Sequence, residues 1–119
     1  MQTKIIIERT DRYVGFTLFC AAGRPLLYSR LFRSIDQCYS GIADVRSLTA
    51  AAGNLETLRN NYGQHSFVIR DHKNIILAHS QMFLAEREMY NTIDLVCIAI
   101  KEAVIEDTGK AHVTSRLLS

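Results

Sequence analysis

Short alternating runs of apolar and polar residues open this chain, and the period then lengthens. Lys4 to Arg9 is β-branched, Asp11-Arg12 marks a turn, and Tyr13 to Cys20 is rich in aromatic and β-branched residues. Ala21-Ala22-Gly23 turns the chain again, ahead of a third strand over Arg24 to Ser29. From Ser34 a helix follows. Ser34 and Gln37 have capping-box spacing, and Ile35, Cys38, Tyr39, Ile42 and Val45 recur at helical spacing. Thr49 to Asn54 is a link that ends the helix. The order then returns. Leu55 to Arg59, His65 to Asp71 and Ile75 to Ser80 read as strands, with Asn60-Asn61-Tyr62-Gly63 as a turn. Ala85 to roughly Ile105 reads as a longer helix, with Met89, Ile93, Val96, Cys97 and Ile100 as its core stripe. Glu106 to Ser119 reads as a polar tail, either disordered or docked through Val113, Leu117 and Leu118.

The returning order is also a returning sequence. Shifted by fifty-one residues, Phe16 falls on Phe67, Leu26 on Leu77, Ser29 on Ser80, Phe32 on Phe83, Tyr39 on Tyr90, Ile42 on Ile93 and Val45 on Val96. Average composition would give roughly two such identities over a span of this length. The pattern predicts a single domain over 1–105, made of two β-β-β-α repeats at 4–48 and 55–105, followed by the tail over 106–119. One such unit alone covers its sheet poorly and leaves edges open. Two units can join edges. The predicted class is therefore α+β: a two-layer fold whose antiparallel sheet carries both helices on one face. Two units side by side with separate cores is the alternative.

Gly23 and Asn74 share a place in the repeat, and both residue types tolerate the left-handed conformation. That suits a three-residue hairpin loop closed by a bulge. Such a loop is expected to set Leu18 against Leu26 and Ile69 against Leu77, on the face that also carries Phe16 and Phe67.

The run Phe16-Thr-Leu-Phe-Cys-Ala-Ala-Gly23-Arg-Pro-Leu26-Leu-Tyr-Ser29 resembles the hairpin of the YegP-like family, also called DUF1508 or UPF0339. Phe32-x-Ser34 and Gly41-Ile42-Ala-Asp-Val45-Arg46 resemble the segment that follows it in that family. The likeness covers residues 4–48 well and 55–105 more loosely. Ala22 departs from the family's Asn, Asn74 from its turn Gly, and Thr92 from its helix Gly. The resemblance implies an antiparallel sheet covered by helices, and no particular reaction.

Composition narrows the chemistry. A chain of 119 residues with 48% hydrophobic and 22% charged residues can bury a core without staples. Net charge is only +2, well short of a dedicated nucleic-acid binder. Cys20, Cys38 and Cys97 match no metal or redox spacing and read as small buried hydrophobes. No leader or membrane-spanning run is evident, so the expected location is cytoplasmic. His65, His72 and His79 recur every seven residues, but one falls in a loop and two on strands facing opposite sides, so no metal site is expected. Ser29 and Ser80 have no accompanying base, and each hydroxyl is expected to end the third strand and satisfy a backbone group in the turn. Tyr39 and Tyr90 are expected in the core with hydroxyls at the rim, or else exposed as a stacking pair.

No catalytic residues and no cofactor are indicated. The leading expectation is a non-catalytic binding or protein-interaction module that pairs its strand edges with a second copy or another protein. One alternative is weak nucleic-acid or nucleotide binding by the Arg-rich first repeat, through Arg24, Arg30, Arg33 and Tyr28. The other is an enzyme with a pocket where the repeats meet.

Overall fold

The pattern of alternating and helical runs becomes seven strands and two helices. A computed structural model describes residues 2–111, with side chains throughout except at residue 52 and residues 108–111. The elements run β1 (Lys4–Arg9), β2 (Val14–Phe19), β3 (Pro25–Ser29), α1 (Ile35–Leu48), β4 (Leu55–Arg59), β5 (His65–Arg70), β6 (Ile76–His79), α2 (Glu86–Glu102) and β7 (Val104–Ala111). The strands form one sheet in the order β4-β5-β6-β3-β2-β1-β7. Every neighbouring pair is antiparallel except β1 and β7, which are parallel. The class is α+β.

Period-two alternation decides which face is buried. Ile5 and Ile7 lie opposite Leu18 and Phe16, Leu18 lies opposite Leu27, and Leu55 lies opposite Ile69. These residues share one apolar cluster with Cys38, Ile42 and Val45 of α1 and with Met89, Val96 and Ile100 of α2. Both helices therefore cover the same face of the sheet. The other face carries a cross-strand row of Glu106, Ile6, Thr17, Tyr28, His79, Val68 and Glu56.

Helix boundaries follow local chemistry. Ser34 Oγ accepts the Gln37 amide at 3.1 Å, and Gln37 Oε1 accepts the amide of Arg33 at 3.2 Å. The reciprocal bond thus falls one residue before the position a capping box would use. Ala85 gives α2 no side-chain cap, and Glu86 and Glu88 in its first turn suit the helix dipole instead.

The structure corrects three expectations. The helix expected to reach Ile105 ends at Glu102, and Val104 to Ala111, taking in the start of the expected tail, is a strand laid parallel to β1; Val113, Leu117 and Leu118 lie outside the described residues. Its apolar alternation is weak because charge pairs help to hold it: Lys4 with Glu106 at 3.3 Å, and Arg9 with Asp107. The hairpin register is the second. The loops form as expected, with Gly23 N–H bonded to Cys20 O, Asn74 N–H to Asp71 O, and φ of 85° and 67° at Gly23 and Asn74. Beyond each loop, however, a further bulge sets Leu18 against Leu27 and Ile69 against Ala78. Leu26 and Leu77 still join the core, because the extra residue lets two consecutive side chains face it. The third concerns Tyr39 and Tyr90, which are 42% and 49% exposed rather than core. Gly41 and Thr92 occupy the buried stripe instead.

Candidate functional site

Two kinds of surface stand out: a pair of grooves beside the helices and the open edge of β4. The first groove runs along α1 and encloses about 700 Å³. Its floor is Phe32, Gly41 and Leu77, and its rim includes Tyr13, Arg30, Arg33, Asp36, Asp44 and Asp71. The second runs along α2 and encloses about 320 Å³, with Leu26, Phe83 and Thr92 below and Arg24, Gln81, Glu88 and Leu95 at the rim. Each groove lies between a helix and residues from the other half of the chain.

Close packing shapes the α1 groove. A Cβ added to Gly41 would overlap Phe32 Cζ, so the bare glycine backbone admits the ring. Phe32 also stacks on Phe16, with ring centroids 6.4 Å apart. The Arg30 guanidinium lies 5.5 Å above the Phe32 ring, a cation–π distance, and the Arg30 amide bonds Leu77 O. Thr92 takes in α2 the place that Gly41 takes in α1, and its hydroxyl donates back to Glu88 O at 2.9 Å.

The charges on the α1 rim are largely unspent. Among the described residues the ion pairs are Lys4–Glu106, Arg9–Asp107, Arg70–Glu56 and His65–Glu86, and none involves Arg30, Arg33, Asp36 or Asp44. Asp71 is engaged differently. Its carboxylate accepts the amides of Ile75 and Lys73, and those bonds, with the charges of His72 and Lys73, hold it below its ordinary value of 3.8.

The residues singled out from sequence scatter. Arg30 and Arg33 share the α1 groove, whereas Arg24 lines the α2 groove. Tyr28 is on the helix-free face, where its ring lies 5.7 Å from that of His79. His65 approaches Glu86 at 3.9 Å, and His72 is in the hairpin loop. Among the described residues no three His, Cys, Asp or Glu side chains gather as a metal site would require. Cys38 is buried, while Cys20 and Cys97 are half-buried thiols. Ser29 Oγ accepts the Phe16 amide at 2.8 Å and donates to Arg30 O; Ser80 Oγ accepts the Phe67 amide at 3.0 Å and donates to Gln81 O. Each hydroxyl thus ties the neighbouring strand to the segment that leaves the third strand.

The β4 edge follows from the ladder. His65 gives its N–H and C=O to Phe83, and Phe67 C=O accepts from Ser80 while its N–H reaches the Ser80 hydroxyl. His65 and Phe67 therefore have no backbone groups left for β4. Arg59 and Thr57, opposite them, turn their own N–H and C=O away from β5, and by alternation so does Leu55. Among the described residues β5 is the sole strand neighbour of β4, whereas the corresponding side of β1 is covered by β7.

Comparison with known proteins bears on the fold. No family model matches the sequence, and no curated protein matches it. Two solution structures are similar throughout. One is the protein of unknown function yegP from E. coli: TM-score 0.84, 23% identity, 91% of this chain and 94% of that one. The other is a UPF0339 protein from Shewanella oneidensis: TM-score 0.83, 19% identity, 90% of this chain and 92% of that one. The chain shares the fold that the hairpin resemblance implied. Function is open for yegP itself. Among the described residues no helix is long and apolar enough to cross a membrane.

Open strand edges and a pocket between the halves were expected from sequence, but not which strand is terminal or which residues line the grooves. The grooves need both halves assembled. The one available signal was the loss of four charges or their sign between the copies, at Arg30/Gln81, Arg33/Leu84, Asp36/Arg87 and Asp44/Leu95.

Proposed function

We propose that this chain is a non-catalytic protein-interaction module, built from two copies of a β-β-β-α unit, that associates with a second copy by strand pairing at β4. The duplication is supported by matched bonds. Phe16 to Ser29 recurs as Phe67 to Ser80, and the bridge Val14–Phe32 recurs as His65–Phe83. The strand order mirrors itself about the β3–β6 pair.

One observation carries the interaction reading: β4 is an edge whose outward backbone groups have no strand neighbour among the described residues. Such an edge is a template for strand addition. Its side chains suit a two-fold partner. An antiparallel pair centred on Thr57 places Leu55 opposite Arg59 and Glu56 opposite Leu58 of the other copy, so no like charges meet. Shifting the centre to Glu56 or Leu58 uses fewer of the outward groups, and the Glu56-centred register also sets two carboxylates together.

The test is molar mass by light scattering across a concentration series. The reading expects a shift from 13.5 kDa toward twice that mass. Thr57→Pro removes an outward N–H and leaves the β4–β5 bonds in place, so it should return the chain to monomer without unfolding it. Thr57→Lys should do the same by charge. A monomer at every concentration, or a dimer that ignores both substitutions, contradicts the proposal.

A further inference from the structure

We propose that the α1 groove binds a short extended peptide by its two charged ends, the carboxylate at Arg30 and Arg33 and the amine at Asp44 and Asp71. The site is independent of the β4 edge, and its evidence is a comparison the protein makes with itself. The two grooves share a floor: Phe32 and Leu77 in one, Phe83 and Leu26 in the other. They differ at the rim. Gln81 and Leu95 of the α2 groove stand where Arg30 and Asp44 do, while Leu84 and Arg87, which match Arg33 and Asp36, do not line it; its own rim charges are Arg24 and Glu88. Packing alone explains the shared floor and leaves the charged rim unexplained, since Arg30, Arg33, Asp36 and Asp44 make no ion pair among the described residues.

The signs of the charges select the ligand. Arg33 and Asp36 line the end of the groove where α1 begins, and Arg30 lies over the Phe32 ring that meets Gly41; together the three carry an excess of one positive charge. That end also adjoins the N-terminus of α1, where the dipole favours an anion. An excess of one suits a single carboxylate and opposes a polyphosphate or nucleic-acid backbone. The far end presents Asp44 and Asp71, which suit an ammonium group. Between them, Ser34 to Asp44 spans ten residues of helix, about 15 Å at 1.5 Å per residue. An extended peptide of about five residues has that length. The groove volume of about 700 Å³ lies in the usual range for ligand sites.

Amide chemical-shift titration of the full chain with unblocked pentaalanine tests this directly. Its termini are its only charges. The expected result is a saturable shift at Tyr13, Arg33, Ser40, Gly41 and Asp44, with the α2 groove silent. Arg33→Ala and Asp44→Ala, both exposed, should each weaken binding about two- to fivefold, the worth of one exposed charge pair. Acetylating and amidating the peptide removes both charges and should weaken binding about tenfold. Arg24→Ala should change nothing. Absence of any shift, equal binding of the blocked peptide, or shifts produced by pyrophosphate and not by pentaalanine would each overturn the proposal.

Discussion

Single residues in this chain resolve problems that the backbone creates. At Ser29 and Ser80 the third strand of each half turns away toward its helix, and the amides of Phe16 and Phe67 lose a carbonyl partner. The serine hydroxyls supply one, at 2.8 and 3.0 Å, with both groups buried. Replacing either serine by alanine should strand a buried N–H and cost about 1–3 kcal/mol. Chemical denaturation reads this, and a loss under about 0.5 kcal/mol at both sites would contradict the assignment. Gly41 resolves a different problem, that of seating the Phe32 ring against a helix. Gly41→Ala should gain about 1 kcal/mol of helix propensity and lose about 1–3 to overpacking. The overpacking loss should vanish in a Phe32→Leu background, where Ala becomes the better residue. Equal effects in both backgrounds would show that the ring is not what the glycine accommodates. Both serines were legible from the repeat, because a residue kept twice at one geometric position signals a structural need. Their partner was not, because local sequence does not reveal which neighbouring strand has lost a bond.

Elements were legible where their chemistry is local. β1 and β4 begin and end where their patterns do, and the loops at Gly23 and Asn74 form as their residue types require. What failed depends on distant partners. β7 has no clean alternation, since pairing with β1 and ion pairs to Lys4 and Arg9 hold it in place. Tyr39 matched the helical stripe but faces outward, and Gly41 took the buried place because Phe32 fills the space a side chain would need. The second hairpin yields a prediction about pH. Asp71 is held below its ordinary 3.8 by the amides of Ile75 and Lys73. A carboxylate lowered in the folded state stabilises fully above its unfolded value, and that stabilisation is lost as pH falls through the folded value. The Ile75 and Lys73 amide shifts should therefore titrate together with a midpoint below 3.8. A midpoint at or above that value would mean the bonds do not form in solution.

At the scale of the whole molecule, the two halves join at β3 and β6 and pool one core, but they are finished differently. β7 covers β1 and becomes the terminal strand on that side, whereas in the other half β4 is itself terminal among the described residues. The α1 groove carries Arg30 and Asp44 where the α2 groove has Gln81 and Leu95. A duplicated scaffold would explain what the halves share, and the binding proposed above would explain these differences. The fold was readable from one chain because both halves report the same core positions. Open edges were expected, but which strand is terminal and what lines the grooves were not readable, because they belong to the assembled sheet. Pairing at β4 is tested most directly by isotope-filtered NOE spectroscopy on a sample mixed from labelled and unlabelled chains. Antiparallel pairing about Thr57 makes Glu56 and Leu58 of opposite copies a non-hydrogen-bonded pair, whose Cα atoms lie about 4.5 Å apart. The account predicts an intermolecular contact between the Glu56 and Leu58 α-protons. Intermolecular contacts confined to other elements, or none at concentrations where the unmixed protein has twice its chain mass, would contradict it.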